Sequence, residues 1–421
     1  MNVPRCRYGL LLGISILAVS GFLRAIQAPF PGEPQDAWLR APDHHDFEWK
    51  VQVVGPWLSF QQRYVAGVQA ALPIRKMVRA GVSLSDLHFR VKVGDKDGNW
   101  FPGQFETVFV PPPDVAKGKE LFFYARFFVR PGSYRIAVLV YDGRTRLSNV
   151  WKDSLEAPLL KTDPLPNLDR DLPAVQFESE KDREPFSSAR SRLVLPVNTQ
   201  HRVQLDVVVN LSLSDAMNTR YHQAPDWLYR TNAGMLLQIG RVLSQLELKD
   251  GCVRFSAIDI LRQKVFADRV RGNEADWNEL ARSIEKLQRN RIDAHVLQQQ
   301  KTTPALFAHF LEDTAADPPS CGNPGAPPAR VVVVVSDAFL FPFKTEMASV
   351  LPERMRGVQC YFLQLNPVRG GTWDQMGRVL RPLHPKHWEF SNATRFRKVL
   401  AELVADIEHQ ADATNPRLDL Q

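Results

Sequence analysis

Two serines stand directly after an apolar stretch in the middle of the chain, where a hydroxyl could act as a nucleophile. The stretch, residues 203–211, continues as Ser212, Leu213 and Ser214. The chain lacks the Gly-x-Ser-x-Gly turn in which many hydrolases hold such a serine. It also lacks a glycine-rich phosphate loop after the stretch, and the His-Glu-x-x-His and Cys-x-x-Cys spacings of zinc sites. The absence of these motifs favours a non-enzymatic protein. The alternative is a hydrolase that uses Ser212 or Ser214 with a histidine brought near by the fold.

The elements that would position these serines alternate between strands and helices. Residues 203–211 carry one acid in an apolar run, which is typical of a central parallel strand buried on both faces. Further strands are predicted at 252–260, 330–335, 358–365 and 387–390, and helices at 227–246, 275–288, 304–311, 373–380 and 394–408, the last capped by Ser391 or Asn392. This alternation predicts a doubly wound, mostly parallel α/β sheet over residues 201–410, with ligands at the carboxyl ends of its strands.

The first half of the chain follows a period of two instead. Strands are predicted at 47–54, 57–68, 87–93, 106–110, 120–129 and 133–141, with turns such as Arg130-Pro-Gly132 between them. We therefore expect an antiparallel β-sandwich over 47–157, acting as a spacer or a second contact. Residues 158–200 contain six scattered prolines and a charged run, which predicts a linker.

The carboxyl edge of the predicted α/β sheet resembles that of the von Willebrand factor type A domain. The resemblance rests on Asn210-Leu-Ser212-Leu-Ser214, on Val335-Ser336-Asp337-Ala338 and on Thr302 ahead of a helix, and it spans about residues 201–410. That family places Asp-x-Ser-x-Ser, a threonine and an aspartate there to bind one divalent cation, with oxygen ligands that suit Mg²⁺. The resemblance implies a metal site made of Asn210, Ser212, Ser214, Thr302 and Asp337.

Asn210 departs from the family pattern, because an amide replaces the first carboxylate and removes one negative charge. Two interpretations are open. Either a weakened Mg²⁺ site survives, or the metal has been lost and no cofactor binds. Each residue also has a purely structural interpretation: the serines and Asp215 as turn caps, Thr303 as a helix cap, Asp337 as an acceptor of backbone bonds, and Asp206 as a buried acid with an ion-pair partner.

Three cysteines follow the N-terminal segment, namely Cys252, Cys321 and Cys360. In a sheet of the resembled family, the loop that carries Cys321 enters a strand next to the one that carries Cys360. The resemblance thus implies a Cys321–Cys360 disulfide. The alternative is that Cys252 and Cys360 are buried thiols and Cys321 is free.

The N-terminus predicts export. Arg5 and Arg7 precede an apolar run of about 16 residues, shorter than a bilayer span, so residues 1–28 are interpreted as a signal peptide or, alternatively, as an uncleaved anchor. Residues 29–46 are a leader and 411–421 a tail. The 421 residues carry a net charge of +7, an imbalance too mild to indicate nucleic-acid binding. A basic stretch between Glu353 and Lys398 is interpreted as a solvated face, with an anionic-polymer site as the alternative.

Together these features predict an exported, non-enzymatic interaction or adhesion module. It would act in the periplasm, at the cell surface or outside the cell, on a protein partner that the sequence does not identify. The second interpretation of the same residues is a Mg²⁺-dependent adhesion domain.

Overall fold

The computed structural model describes residues 37–109, 119–177, 193, 195–199, 201–212, 226–286, 302–317, 328–341, 347–366 and 374–413. The predicted signal segment (1–28), Ser214, Asp215 and Cys321 lie outside these residues.

Two antiparallel sheets make up the first half of the described chain. Their elements are β1 (His44–His45), β2 (Lys50–Leu58), β3 (Tyr64–Pro73), α1 (Ile74–Arg79), β4 (Leu87–Asp95), β5 (Trp100–Phe109), β6 (Glu120–Val129), β7 (Gly132–Asp142), β8 (Ser148–Ala157) and β9 (Val175–Phe177). The strand orders are β1-β8-β7-β4-β5 and β2-β3-β6-β9. Alternate residues of both sheets face one shared core, in which the rings of Phe89 and Phe123 stack with centroids 4.9 Å apart.

The second half contains a six-stranded mixed sheet and a short parallel pair. Its elements are β10 (Leu195–Val197), β11 (Val203–Asn210), α2 (Asp226–Ser244), β12 (Leu246–Leu248), β13 (Gly251–Asp259), β14 (Lys264–Arg271), α3 (Trp277–Glu285), α4 (Thr303–Ala316), β15 (Ala329–Asp337), β16 (Val358–Leu365), α5 (Met376–Leu380), β17 (Lys386–Phe390) and α6 (Ala393–Ala413). The sheet order is β14-β13-β11-β15-β16-β17, and β10 pairs with β12. All eight residues of β11 are buried between two strand neighbours.

The expected fold class, a doubly wound and mostly parallel sheet of the von Willebrand type, is wrong. Strands account for 44% of the structure and helices for 24%, and the sheets are mostly antiparallel or mixed. Of the thirteen strand pairings among the described residues, eight are antiparallel. One physical reason lies at the end of β13, where the chain turns back at Gln263 (φ 50°) and pairs β14 antiparallel to β13. The sequence pattern did not predict β14.

Hydrophobic side chains also join the two halves of the molecule. Phe60, in the loop between β2 and β3, packs against Phe390 and Phe396, with ring centroids 6.2 Å away in both cases. Leu168 and Leu172 belong to the same buried cluster, although they lie in the segment predicted as a linker. In this segment β9 also pairs with β6. The two halves therefore share a packed junction around the start of α6.

Candidate functional site

The predicted site residues lie where β11 and β15 end side by side. Val209 pairs with Val335, so Asn210 and Ser336 are neighbours across the two strands. The Asn210 Nδ2 donates to Ser336 Oγ over 3.0 Å, and both side chains are fully buried. The Asn210 amide thus links two central strands of the sheet. Ser336 belongs to the motif Val335-Ser336-Asp337-Ala338 but was not predicted as a site residue, because its role depends on the strand register.

The side chain of Ser212 caps the end of β13, the strand next to its own. Its Oγ donates to Asn210 Oδ1 over 2.6 Å, and its backbone N–H donates to the same oxygen over 3.1 Å. The Ser212 Oγ in turn accepts the backbone N–H of Ile260 at 2.6 Å and of Leu261 at 3.3 Å. The hydroxyl of Ser212 thus caps the turn that follows β13, whereas the sequence predicted a cap of the turn after its own strand.

Asp337 has different surroundings from Asn210, since successive residues of a strand point to opposite faces of the sheet. Ser336 shares a face with Asn210, whereas Asp337 accepts a hydrogen bond from the side chain of Asn232 in α2. Burial raises the pKa of Asp337 to about 8, and the charge of Asp374 adds to the rise. The Oδ1 of Asp337 is buried without a hydrogen-bond partner in the part of the chain that the structure describes.

Asp374 is a second carboxyl group at this edge that sequence reasoning missed. It accepts backbone N–H bonds from Phe339 (3.1 Å), Met376 (3.2 Å) and Gly377 (3.0 Å). Burial raises its pKa even though these bonds oppose the rise. An aspartate shortly before a helical segment is a capping signal that could have indicated it.

Thr302 stands at the exposed start of α4, with its Oγ1 3.5 Å from Gln263 Nε2. It occupies the N-cap position of that helix but makes no side-chain cap bond, and Thr303 is already helical, so the expected Thr303 cap is wrong. The structure brings Asn210 and Ser212 into one network with Ser336. It places Asp337 towards α2 and Thr302 at the surface. The predicted position of Ser214 lies outside the described residues.

The fit of a metal ion can be judged from the donor atoms at this edge. The oxygen of Asn210 accepts two bonds from Ser212, and the hydroxyl of Ser212 is committed to Asn210 and two amides. Among the described residues, no group of three or more His, Cys, Asp or Glu side chains is arranged to hold a metal. The arrangement of Asn210, Ser212 and Asp337 therefore does not fit a divalent cation without rearrangement.

The cysteines contradict the expected Cys321–Cys360 bridge. Cys360 is a free thiol, 2% exposed, and burial raises its pKa to about 12. It pairs in β16 with Val332 of β15, whose side chain belongs to a buried hydrophobic cluster. Of the two cysteines among the described residues, Cys252 is disulfide-bonded, so the alternative in which it is a buried thiol is also wrong.

Asp206 was predicted to be a buried acid with an ion-pair partner. Asp206 of β11 forms an ion pair with Arg254 of β13 over 2.5 Å, and both side chains are nearly inaccessible. Arg254 also donates to the carbonyl of Thr314 near the end of α4. The interpretation of Asp206 as a paired buried acid is confirmed.

Comparisons with known proteins add little to this description. No family model and no curated protein matches the chain, so the resemblance to the von Willebrand factor type A domain stays a prediction. A solved structure of β-glucosidase from Listeria innocua in complex with glucose is similar at 12% identity with a TM-score of 0.15. The similarity covers 33% of this chain and 22% of that one, about a fifth of its length. A TM-score this low carries no argument. None of the described helices is long and apolar enough to cross a bilayer.

Proposed function

We propose that the protein is an exported, non-enzymatic interaction protein whose partner binding does not depend on a resident divalent cation. The network of Asn210, Ser212 and Ser336 carries the proposal. In it, every polar group that would act as a nucleophile or a ligand is committed to a neighbour. A hydroxyl in this position stabilises the sheet edge, and its contacts are those of a turn cap.

The disulfide at Cys252 supports the proposed export, because disulfides persist mainly in oxidising compartments. The N-terminal apolar run predicted as a signal peptide points the same way. A protein partner is proposed because strand-rich modules of this kind commonly act by presenting surfaces.

The experiment that tests the non-enzymatic proposal is labelling with a fluorophosphonate, which reacts with activated serines. The native chain and Ser212→Ala should both remain unlabelled while a serine hydrolase in the same tube is modified. Labelling of the native chain that disappears in Ser212→Ala would establish the hydrolase alternative instead.

Cation-dependent binding is a second candidate function, favoured by the buried Asp337 Oδ1 next to Asp374. Affinity capture from an extract, with purified full chain as bait, separates the two candidates. We expect the same partners with Mg²⁺ and with a chelator. Partners that elute when the chelator is added would support the cation-dependent candidate.

A further inference from the structure

A cavity of about 640 Å³ lies at the junction between the two halves of the molecule. Its walls come from the loop between β2 and β3, from the turn between β6 and β7, from the irregular segment after β8, and from Arg397 of α6. Clefts of this size between structural units are common positions for small-molecule sites. This cavity does not involve the β11–β15 edge, so a ligand bound in it would be independent of the function proposed above.

Hydrogen bonds hold the walls of this cavity in place. Tyr134 Oη donates to the carbonyl of Arg130 over 2.8 Å, and the Arg130 backbone N–H donates to Ala174 O over 3.0 Å. The Arg130 Nη1 donates to Arg170 O over 3.1 Å, which ties the β6–β7 turn to the segment after β8. A ligand would therefore meet a cavity that is already formed, with a small ordering cost.

Positive charge dominates the lining. Four cationic side chains, those of Arg130, Lys161, Arg170 and Arg397, face two carboxylates, Asp163 and Asp169. Arg397 is paired with Asp163 through two bonds of 2.6 and 2.7 Å and lies 3.7 Å from Asp169. Within the described chain, the other three cations form no ion pair. The lining therefore carries an excess of two positive charges.

Two buried polar groups in the lining point to a ligand that also forms neutral hydrogen bonds. Tyr64 is 6% exposed and lines the cavity. Arg397 and both aspartates are near enough to influence its pKa, which burial raises. Gln62 is 1% exposed, and its Oε1 is buried without a hydrogen-bond partner among the same residues. Buried polar groups of this kind are usually satisfied by a partner.

We propose that this junction cavity binds a small hydroxylated organic anion. Its carboxylate or phosphate lies against Arg130 and Lys161, and its hydroxyl groups lie against Tyr64 and Gln62. Charge-assisted bonds to the cations would supply most of the affinity, and the tyrosine hydroxyl would select for hydroxylated anions.

Isothermal titration of the full chain tests this proposal with matched probes. Gluconate and sorbitol share their hydroxyl groups and differ in the carboxylate, while glycerol phosphate and inorganic phosphate differ in the hydroxyl groups. We expect gluconate or glycerol phosphate to bind with submillimolar affinity that weakens as salt is added, and sorbitol not to bind. Binding of inorganic phosphate as tight as that of glycerol phosphate would overturn the role given to Tyr64 and Gln62.

The variants separate a specific site from general charge. Arg130→Gln with Lys161→Gln removes two charges from the lining and should weaken anion binding roughly tenfold or more. Arg75→Gln with Arg79→Gln removes the same charge from exposed positions on α1, at the far end of β3 and roughly 30 Å away, and should leave the affinity unchanged. Tyr64→Phe keeps the ring and should weaken gluconate several-fold. Equal losses in the two double variants, or no organic anion bound below about 10 mM, would overturn the proposal.

Discussion

The ion pair between Arg397 and Asp163 is expected to be the most sensitive polar contact of the junction. Arg397 is 3% exposed, donates to both oxygens of Asp163 at 2.6 and 2.7 Å, and donates to Leu165 O at 2.8 Å. Its Nη1 also reaches Gln62 O at 3.4 Å. One side chain thus links α6 both to the loop between β2 and β3 and to the segment after β8.

The substitution Arg397→Gln should cost about 3 kcal/mol of unfolding free energy. Breaking a buried ion pair costs roughly 3–5 kcal/mol, because the remaining charge is left without its partner. We take the low end of that range because the side chain of Asp163 is 20% exposed and water can partly resolvate it. The lost bond to Leu165 O contributes about 1 kcal/mol and is partly replaced by the glutamine amide.

Urea unfolding followed by tryptophan fluorescence measures this cost, with m-values compared to confirm that the same transition is observed. Arg395→Gln is the matched control, since it removes the same charge two residues earlier from an exposed position on α6. A double-mutant cycle with Asp163→Asn should give a coupling energy of about 2 kcal/mol. A coupling below about 0.5 kcal/mol, or equal destabilisation by the two arginine substitutions, would refute the reasoning.

Further predictions concern pH, metal binding, the cysteines and proteolysis. Burial raises the pKa of Asp163, but the hydrogen bonds from Arg397 and from the Leu165 backbone outweigh burial and lower the pKa below 3.8. The ionised Asp163 therefore stabilises the fold above pH 3.8, and this stabilisation is lost as the pH falls through the pKa of the folded state. The difference in unfolding free energy between the native chain and Asp163→Asn should shrink in acid. Calorimetric titration should show no Mg²⁺ or Mn²⁺ binding tighter than millimolar, and Asn210→Asp should strengthen binding by restoring a carboxylate, whereas submicromolar affinity in the native chain would contradict this. Non-reducing peptide mapping should find Cys252 in a disulfide and Cys360 alkylated only after unfolding. Limited proteolysis should spare the segment around Leu168 and Leu172 until the junction opens, and early cuts there would show that the junction is not packed.

Some elements could be predicted directly from local sequence. The apolar run 203–211 predicted a central strand, and β11 is buried at all eight positions. Asn392 was expected as a cap of the last helix, and its Oδ1 accepts the backbone N–H of Arg395 over 2.9 Å. In both cases the residues that determine the element lie within the element itself or within one turn of its end. A local sequence pattern is therefore enough to predict the strand and the cap.

Other elements depend on contacts that no local pattern contains. The prolines of the segment after β8 were interpreted as a linker, yet Asp163 in that segment is held by Arg397, 234 residues later in the chain. The turn before β14 lacks glycine, proline and asparagine and instead places Gln263 at a positive φ. Without a turn signal, the strand that makes the sheet mixed was not predicted.

The candidate site shows the same limit at the level of single side chains. The predicted strand ended at residue 335, and it is the observed length of β15, to Asp337, that places Ser336 and Asp337 on opposite faces of the sheet. Which of them meets Asn210 depends on the register between β11 and β15, and a shift of one residue would exchange them. Because Val209 pairs with Val335, the amide of Asn210 meets the hydroxyl of Ser336, and Asp337 turns to Asn232 of α2. An aspartate at position 210 would accept bonds from both serine hydroxyls and would still face away from Asp337. Restoring the carboxylate should therefore improve cation binding without by itself completing a site. A large gain in affinity from Asn210→Asp would mean that the missing charge limits metal binding at this edge. A small gain would mean that the strand register, which turns Asp337 away, limits it.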